Sequence, residues 1–322
     1  MSLFTSLREA SAPGVAVEIA AGRVSGASLD WRGGRPVVAS HAVEPLPAGA
    51  LVPALNAANT HDRASVATAL NRVLERLGRP RRVGLVVPDV VAKVSLIRFE
   101  KIPSRAQDLD QLVRWQVRKT APFPIEQAQV SYVRGQRAAD GQELVVSIAR
   151  RDIVAEYETL CAEAGAHAGL VDLATFNVIN AVLAGNGAPS ADWLLVNVAA
   201  DSASIALLRG PHLIFFRNRA AETEGTLADL VHQTAMYYED RLQGGGFGRV
   251  LLAGGAGARA AEDLHQVRHS LEERLTTPVD TVDPRAAATI ADRITASPTL
   301  LDTLTPLVGL LLRDRKSDVV TA

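Results

Sequence analysis

The sequence predicts an α/β protein of two lobes, and three observations carry that reading. Strand-like segments come in threes at two places, residues 14–42 and 193–217, and each group is followed by a helical pattern. The apolar run Val83-Gly84-Leu85-Val86-Val87 marks a strand buried on both faces, as parallel sheets require. The 322 residues also exceed the roughly 100–200 of a single domain.

The elements follow in order. Residues 14–20 read as a strand, Ala21-Gly22 turns the chain, and residues 23–29 alternate with period two as the returning arm. A third strand spans residues 36–42, and a loop rich in Pro, Ala, Gly and Asn covers 44–60. Val66, Leu70, Val73 and Leu77 recur at the spacing of one helix face. Beyond the apolar run, residues 92–99 form a strand and residues 106–120 a helix. That helix has Leu109, Leu112, Val113 and Val117 on one side and Asp108, Arg114, Arg118 and Lys119 on the other. Pro122-Phe123-Pro124 stops it, because proline cannot continue the hydrogen-bond ladder. Strands at 129–134 and 143–149 flank the turn signal Asp140-Gly141. A helix at 151–164, a strand at 168–172 and a helix at 175–184 close the first half, and Gly, Pro and Ser at 185–190 mark a joint. The second half reads as strands 193–198, 202–208 and 212–217, a helix at 226–242, a strand at 249–253 and a helix at 260–275. A short strand at Val279 and a last helix at 304–312 complete it.

Composition narrows the function classes. Hydrophobic residues make up 48% of the chain, enough for a sizeable core, but aromatics only 4%, so Leu, Val and Ala do most of the packing. Lys and Arg total 34 against 35 Asp and Glu, which argues against a surface built to track nucleic-acid phosphates. Cys161 has no partner for a disulfide and reads as a buried helix residue. No apolar run approaches the roughly 20 residues that cross a bilayer, and residues 1–13 hold no signal-peptide core. The expectation is a cytoplasmic protein with no direct membrane insertion. His265 and His269 are spaced i, i+4, but no His-Glu-x-x-His pattern surrounds them, and they read as solvated helix residues.

Residues 83–133 hold the most specific pattern: Val87-Pro88-Asp89, then Arg98-Phe99-Glu100-Lys101-Ile102-Pro103, then Val113-Arg114-Trp115-Gln116 on a helix. Ala121-Pro122-Phe123-Pro124 and Val130-Ser131-Tyr132 follow. On these residues the chain resembles the PilM family of type IV pilus assembly proteins. The resemblance implies a bilobal actin-like (ribonuclease-H-like) fold, related to the cell-division protein FtsA, with an inserted small α/β subdomain at about residues 92–166. It divides the chain into a first lobe at 1–186, which includes the insertion, a second lobe at 187–298, and a C-terminal helix and tail at 299–322 packing back on the first lobe. The implied partner is the short cytoplasmic tail of a PilN-like inner-membrane protein, which would recruit the chain to the inner face of the inner membrane beside other pilus-machine subunits. A homo-oligomer or ring stays open. The cytoplasmic domain of the type II secretion protein GspL is a fold relative and supplies an alternative reading.

Actin-like phosphate loops need an acidic side chain to hold Mg²⁺ through water, and glycine where the backbone approaches phosphate. Against the family's first loop this chain has Glu18 in place of Asp, Ala20 in place of Gly and Ala21 in place of Ser. Against the second it has Asn197 in place of a carboxylate and Ala199 in place of Gly; Asn197 brings no negative charge to a metal. The adenosine loop, with Gly254 and Gly255, is better kept. The expectation is a pseudo-ATPase with no certain cofactor, ATP with magnesium being the one the resemblance allows. The competing expectation is an active MgATP-binding ATPase.

The tail is expected to seat between the first lobe and the insertion. Leu96, Arg98 and Phe99 on the strand and Leu112, Trp115 and Gln116 on the helix are the candidate contacts. Only one alternating set of the strand can line a groove. Trp115 falls off the apolar stripe of its helix, which suits an anchor; the other reading packs it under the Pro122–Pro124 turn.

Overall fold

The computed structural model describes residues 13–138, 140–187, 189–200, 202–220, 226–254 and 261–313. In chain order the elements are β1 (Val15–Ala20), β2 (Arg23–Arg32), β3 (Arg35–Pro45), α1 (Arg63–Arg76), β4 (Arg82–Val87), β5 (Ala92–Phe99) and α2 (Ala106–Arg118). There follow β6 (Ala128–Ala138), β7 (Gly141–Arg150), α3 (Arg151–Glu163), β8 (His167–Leu173) and α4 (Ala174–Asn186). The second half holds β9 (Trp193–Val198), β10 (Ser202–Arg209), β11 (His212–Ala220), α5 (Leu227–Leu242), β12 (Arg249–Gly254), α6 (Ala261–Leu275), β13 (Val279–Thr281), β14 (Thr289–Ile290) and α7 (Pro298–Leu312).

They build three sheets. The first runs β14-β3-β2-β1-β4-β8, the second β11-β10-β9-β12-β13, and a small one runs β5-β7-β6. In the two large sheets an antiparallel meander is joined to parallel strands: β1 pairs parallel with β4 and β4 with β8, while β9 pairs parallel with β12 and β12 with β13. The expected doubled architecture is therefore present as topology.

Burial on both faces explains the sequence patterns. In β1, Val17 and Ile19 pack with Leu70, Val73 and Tyr157 of α1 and α3, while Ala16 packs with Leu307, Val308 and Leu311 of α7. On the other side of the molecule, Leu194 and Val196 of β9 face α5 and α6, while Trp193 and Leu195 face α4. The layers are thus helices, sheet, helices, sheet, helices, with α4 and α7 in the middle. A helix covered all round must be apolar all round, and residues 303–312 are buried without a break. α4 and α7 cross closely because Gly309 has no side chain: a Cβ there would lie 1.7 Å from the Asn177 carbonyl oxygen.

Two elements differ from expectation. The last helix starts at Pro298, capped by the Ser297 hydroxyl, which accepts from the Leu300 amide at 3.2 Å, and it carries Pro306 inside it. The prolines masked its first turns in the sequence, because proline at N1 is pre-set for a helix whereas interior proline normally breaks one. Helix α3, expected with the insertion, packs Ile153, Tyr157, Leu160 and Cys161 into the core of the first sheet; the small sheet and α2 occupy residues 92–150. Cys161 is buried as expected, and burial, with Glu158 nearby, pushes its thiol up to about 12.

Candidate functional site

Parallel strands of the two large sheets end at one place. In open α/β sheets ligands settle in the crevice beyond the carboxyl ends of such strands. Here the ends of β1, β4, β9 and β12 and the start of α4 enclose a cavity between the lobes. Glu18, Ala20, Ala21, Asn197, Ala199 and Gly254 all line it, so the structure brings together six of the seven expected nucleotide-site residues. Gly255 lies outside the described residues.

The cavity measures about 50 Å³. A water molecule takes roughly 30 Å³ and small-molecule pockets run to roughly 300 Å³ or more. Its polar groups are committed to each other. Glu18 Oε2 accepts from Arg23 Nη2 at 2.9 Å and from Ser25 Oγ at 3.1 Å. Arg23 opens β2 directly after the Gly22 turn, whose φ of +86° suits glycine, so the first loop carries its own cation back onto its own carboxylate. Asp89, just past β4, accepts from the Thr175 amide at 3.0 Å, from the Thr175 hydroxyl, and from Ser204 Oγ at 2.6 Å. Thr175 in turn accepts from Asn197 Nδ2 at 2.9 Å, and Ser204 from Asn218 Nδ2 at 2.9 Å. Burial pushes the Asp89 carboxyl up, the hydroxyls of Ser204 and Thr175 oppose that, and the negative charge of Glu18 adds to it.

Gly254 is held for a reason of packing. Its φ is +88°, and a Cβ there would meet the Val198 carbonyl oxygen at 1.8 Å, so the end of β12 can close on β9 only with glycine. Its amide donates to Asp302 Oδ1 of α7 at 2.7 Å. Among the described residues the set does not suit a magnesium ion: an arginine occupies the carboxylate a metal would use, and Asn197 is neutral and spent on Thr175. Arg23, Asp89, Thr175, Ser204 and Asp302 were missed as site residues. Asp89 alone left a signal, as a carboxylate directly after a buried strand.

A second concavity, a groove of about 600 Å³, lies between the small sheet and the first lobe. Val133 and Val145 line one side, β8 the other, and Leu213 of β11 closes it. β6 and β8 stand at the edges of their sheets among the described residues, so both turn an unpaired strand edge toward this space. Asp172 on β8 is pushed up by burial, opposed by Arg313, whose Nη1 lies 2.7 Å away.

The six expected partner contacts do not meet in this groove. Alternation divides them: Ala92, Val94, Leu96 and Arg98 pair with residues 149, 147, 145 and 143 on the groove side, and Phe99 points the other way. Leu96 is packed near Val145 and Phe216, and Arg98 is exposed and bound to Asp140 at 2.9 Å. Phe99 is buried with Leu109 and Val113 under α2, Leu112 is half-buried there, and Trp115 and Gln116 are exposed on the outer side of α2. Trp115 does not pack under the Pro122–Pro124 turn, since 59% of the residue is exposed.

A family profile described as type IV pilus assembly protein PilM matches residues 16–240. Among solved structures, a PilM-PilN type IV pilus biogenesis complex superposes with a TM-score of 0.78 at 19% identity, covering 93% of this chain and 98% of that one. The cytoplasmic domain of EpsL, an inner-membrane component of the type II secretion system of Vibrio cholerae, scores 0.46 at 9% identity, covering 96% of this chain and 94% of that one. A Bacteroides thetaiotaomicron protein of actin-like ATPase fold and unknown function scores 0.49 at 10% identity, covering 88% of this chain and 94% of that one. No curated protein matches the sequence. The fold is the bilobal actin-like one.

Proposed function

The chain belongs to the family of type IV pilus assembly protein PilM, and on that premise we propose that it is a binding scaffold of a pilus assembly machine. Its groove takes the short cytoplasmic tail of a PilN-like inner-membrane protein, and its interlobe cleft has given up ATP turnover. One observation carries this reading: the contrast between an open groove of about 600 Å³ and a nucleotide cleft of about 50 Å³ closed by its own side chains. The groove suits an extended peptide, because strand edges supply backbone hydrogen bonds and alternate side chains find pockets. No helix of the described residues is long and apolar enough to cross a membrane, so attachment through a tethered tail is the route the reading needs. The scaffold acts at the cytoplasmic face, recruited there by its partner. The first lobe with its insertion and the second lobe are proposed as the working units, with α7 bridging back to the first.

The test is capture of a synthetic peptide carrying the cytoplasmic tail of a PilN-like inner-membrane protein. Wild type is expected to bind, Val133→Asp to bind about tenfold more weakly by placing a charge in the groove, and Trp115→Ala to bind as wild type does. No capture by folded wild type, or equal capture by Val133→Asp, overturns the groove. Steady ATP hydrolysis that disappears on Glu18→Ala would overturn the pseudo-ATPase reading in favour of an active enzyme.

A further inference from the structure

The outer side of α2 carries a group of residues that neither the groove nor the interlobe cavity uses. Trp115 is 59% exposed, the most exposed large hydrophobic residue among those described. Lys119 Nζ stands 5.4 Å from its ring centroid. Arg118 is exposed and lies 4.0 Å from Glu126. Arg114, one turn earlier, is bound to Asp110 at 2.7 Å. Lys93 of β5 donates to the Thr120 carbonyl at the end of the helix, adding a fourth cation to the same end. Trp115, with Lys119 over its ring, stands exposed near the C-terminal end of α2 and lines neither the groove nor the interlobe cavity.

We propose that this face of α2 is a docking surface for an anionic phospholipid headgroup layer. Two chemistries match. Indole rings sit preferentially at the membrane–water interface, where an apolar body and a polar N–H are both accommodated. Lysine and arginine beside them are drawn to the negative cytoplasmic leaflet. The 59 residues of 92–150 carry ten Lys and Arg against six Asp and Glu, a net +4, while the whole chain is −1, so the positive charge is concentrated on the part that bears Trp115. The contact is adsorption and does not involve insertion of a helix. It is weak alone and gains from a tether, because a tail held in the groove turns the second contact into an intramolecular event. In that respect it rests on the proposed capture of a membrane-anchored tail: α2 lies on one face of the small sheet and the groove on the other.

The experiment is flotation of the full chain, without any tail peptide, on vesicles of phosphatidylethanolamine with phosphatidylglycerol and on vesicles of phosphatidylcholine alone. Wild type is expected to float with the anionic vesicles at low salt and to be released as salt rises. Arg118→Glu/Lys119→Glu is expected to lower partitioning at least about tenfold, and Trp115→Ser to lower it while leaving the salt dependence in place. Both changes lie on exposed side chains, and circular dichroism checks the fold. Equal partitioning to both vesicle types, or equal partitioning of wild type and Arg118→Glu/Lys119→Glu, overturns the proposal. So does a result in which no vesicle is bound but Trp115→Ser lowers recovery of a protein subunit of the machine, which would assign the face to a protein. Tail capture on the same variants keeps the readings apart: its failure in wild type counts against the groove, whereas failure on vesicles alone counts against this face.

Discussion

Arg23→Met tests whether the first loop is held shut by its own ion pair. Arg23 Nη2 and Glu18 Oε2 are 2.9 Å apart, and the two side chains are only 17% and 6% exposed. Removing one partner of a buried pair costs roughly 3–5 kcal/mol, because the other charge is left without compensation. Ser25 Oγ still donates to Glu18 at 3.1 Å, and one such bond to a charged group recovers about 1–2 kcal/mol. The expected loss is therefore about 2–3 kcal/mol. In a lobe of this size that is a fall in Tm on the order of 5–10 °C. Glu18→Gln/Arg23→Met removes both charges and is expected to recover about 2 kcal/mol of the summed single losses, a coupling that only a direct interaction produces. Urea denaturation followed by far-UV circular dichroism measures all four proteins. If Arg23→Met stays within about 0.5 kcal/mol of wild type, as an ordinary surface change would, or if the double variant equals the sum of the singles, the pair does not hold the loop and the closed cleft needs another cause.

Two further outcomes follow from the same site. Gly254→Ala combines a φ of +88° with a Cβ 1.8 Å from the Val198 carbonyl oxygen, and is expected to cost at least about 3 kcal/mol; a soluble variant with unchanged Tm would refute the packing reason given for that glycine. Burial raises the Asp89 carboxyl above the ordinary aspartate value, so the native state holds that proton more tightly than the unfolded chain does. The group's contribution then falls as pH rises from the ordinary range through the folded value. The stability difference between wild type and Asp89→Asn, followed by urea titration at stepped pH, is expected to narrow across that window, and a difference that widens refutes the assignment.

Much of the architecture was legible in local pattern. The strand at 92–99 and the stripe of Leu109, Val113 and Val117 follow from period two and period 3.6, because each periodicity reports which face of one element is buried. Glu18 and Asn197, far apart in sequence, line one cavity between the lobes. The groove contacts were not legible. Phe99 and Leu96 look equivalent in sequence, and it is the pairing of β5 with β7 that sends one under α2 and the other toward Val145.

The sequence by itself determined the order of elements, the doubled meander and the family. Those properties reside in residue type and short-range spacing, which a single chain segment carries without its neighbours. Tertiary structure alone decided that the polar groups lining the interlobe cavity bond to one another and that Trp115 is exposed. Asp89 meets Thr175 and Ser204 across 86 and 115 residues of chain, and Gly254 meets Asp302 across 48. No local period encodes a hydrogen bond between strand ends that only the stacking of two sheets on α4 and α7 brings within 3 Å.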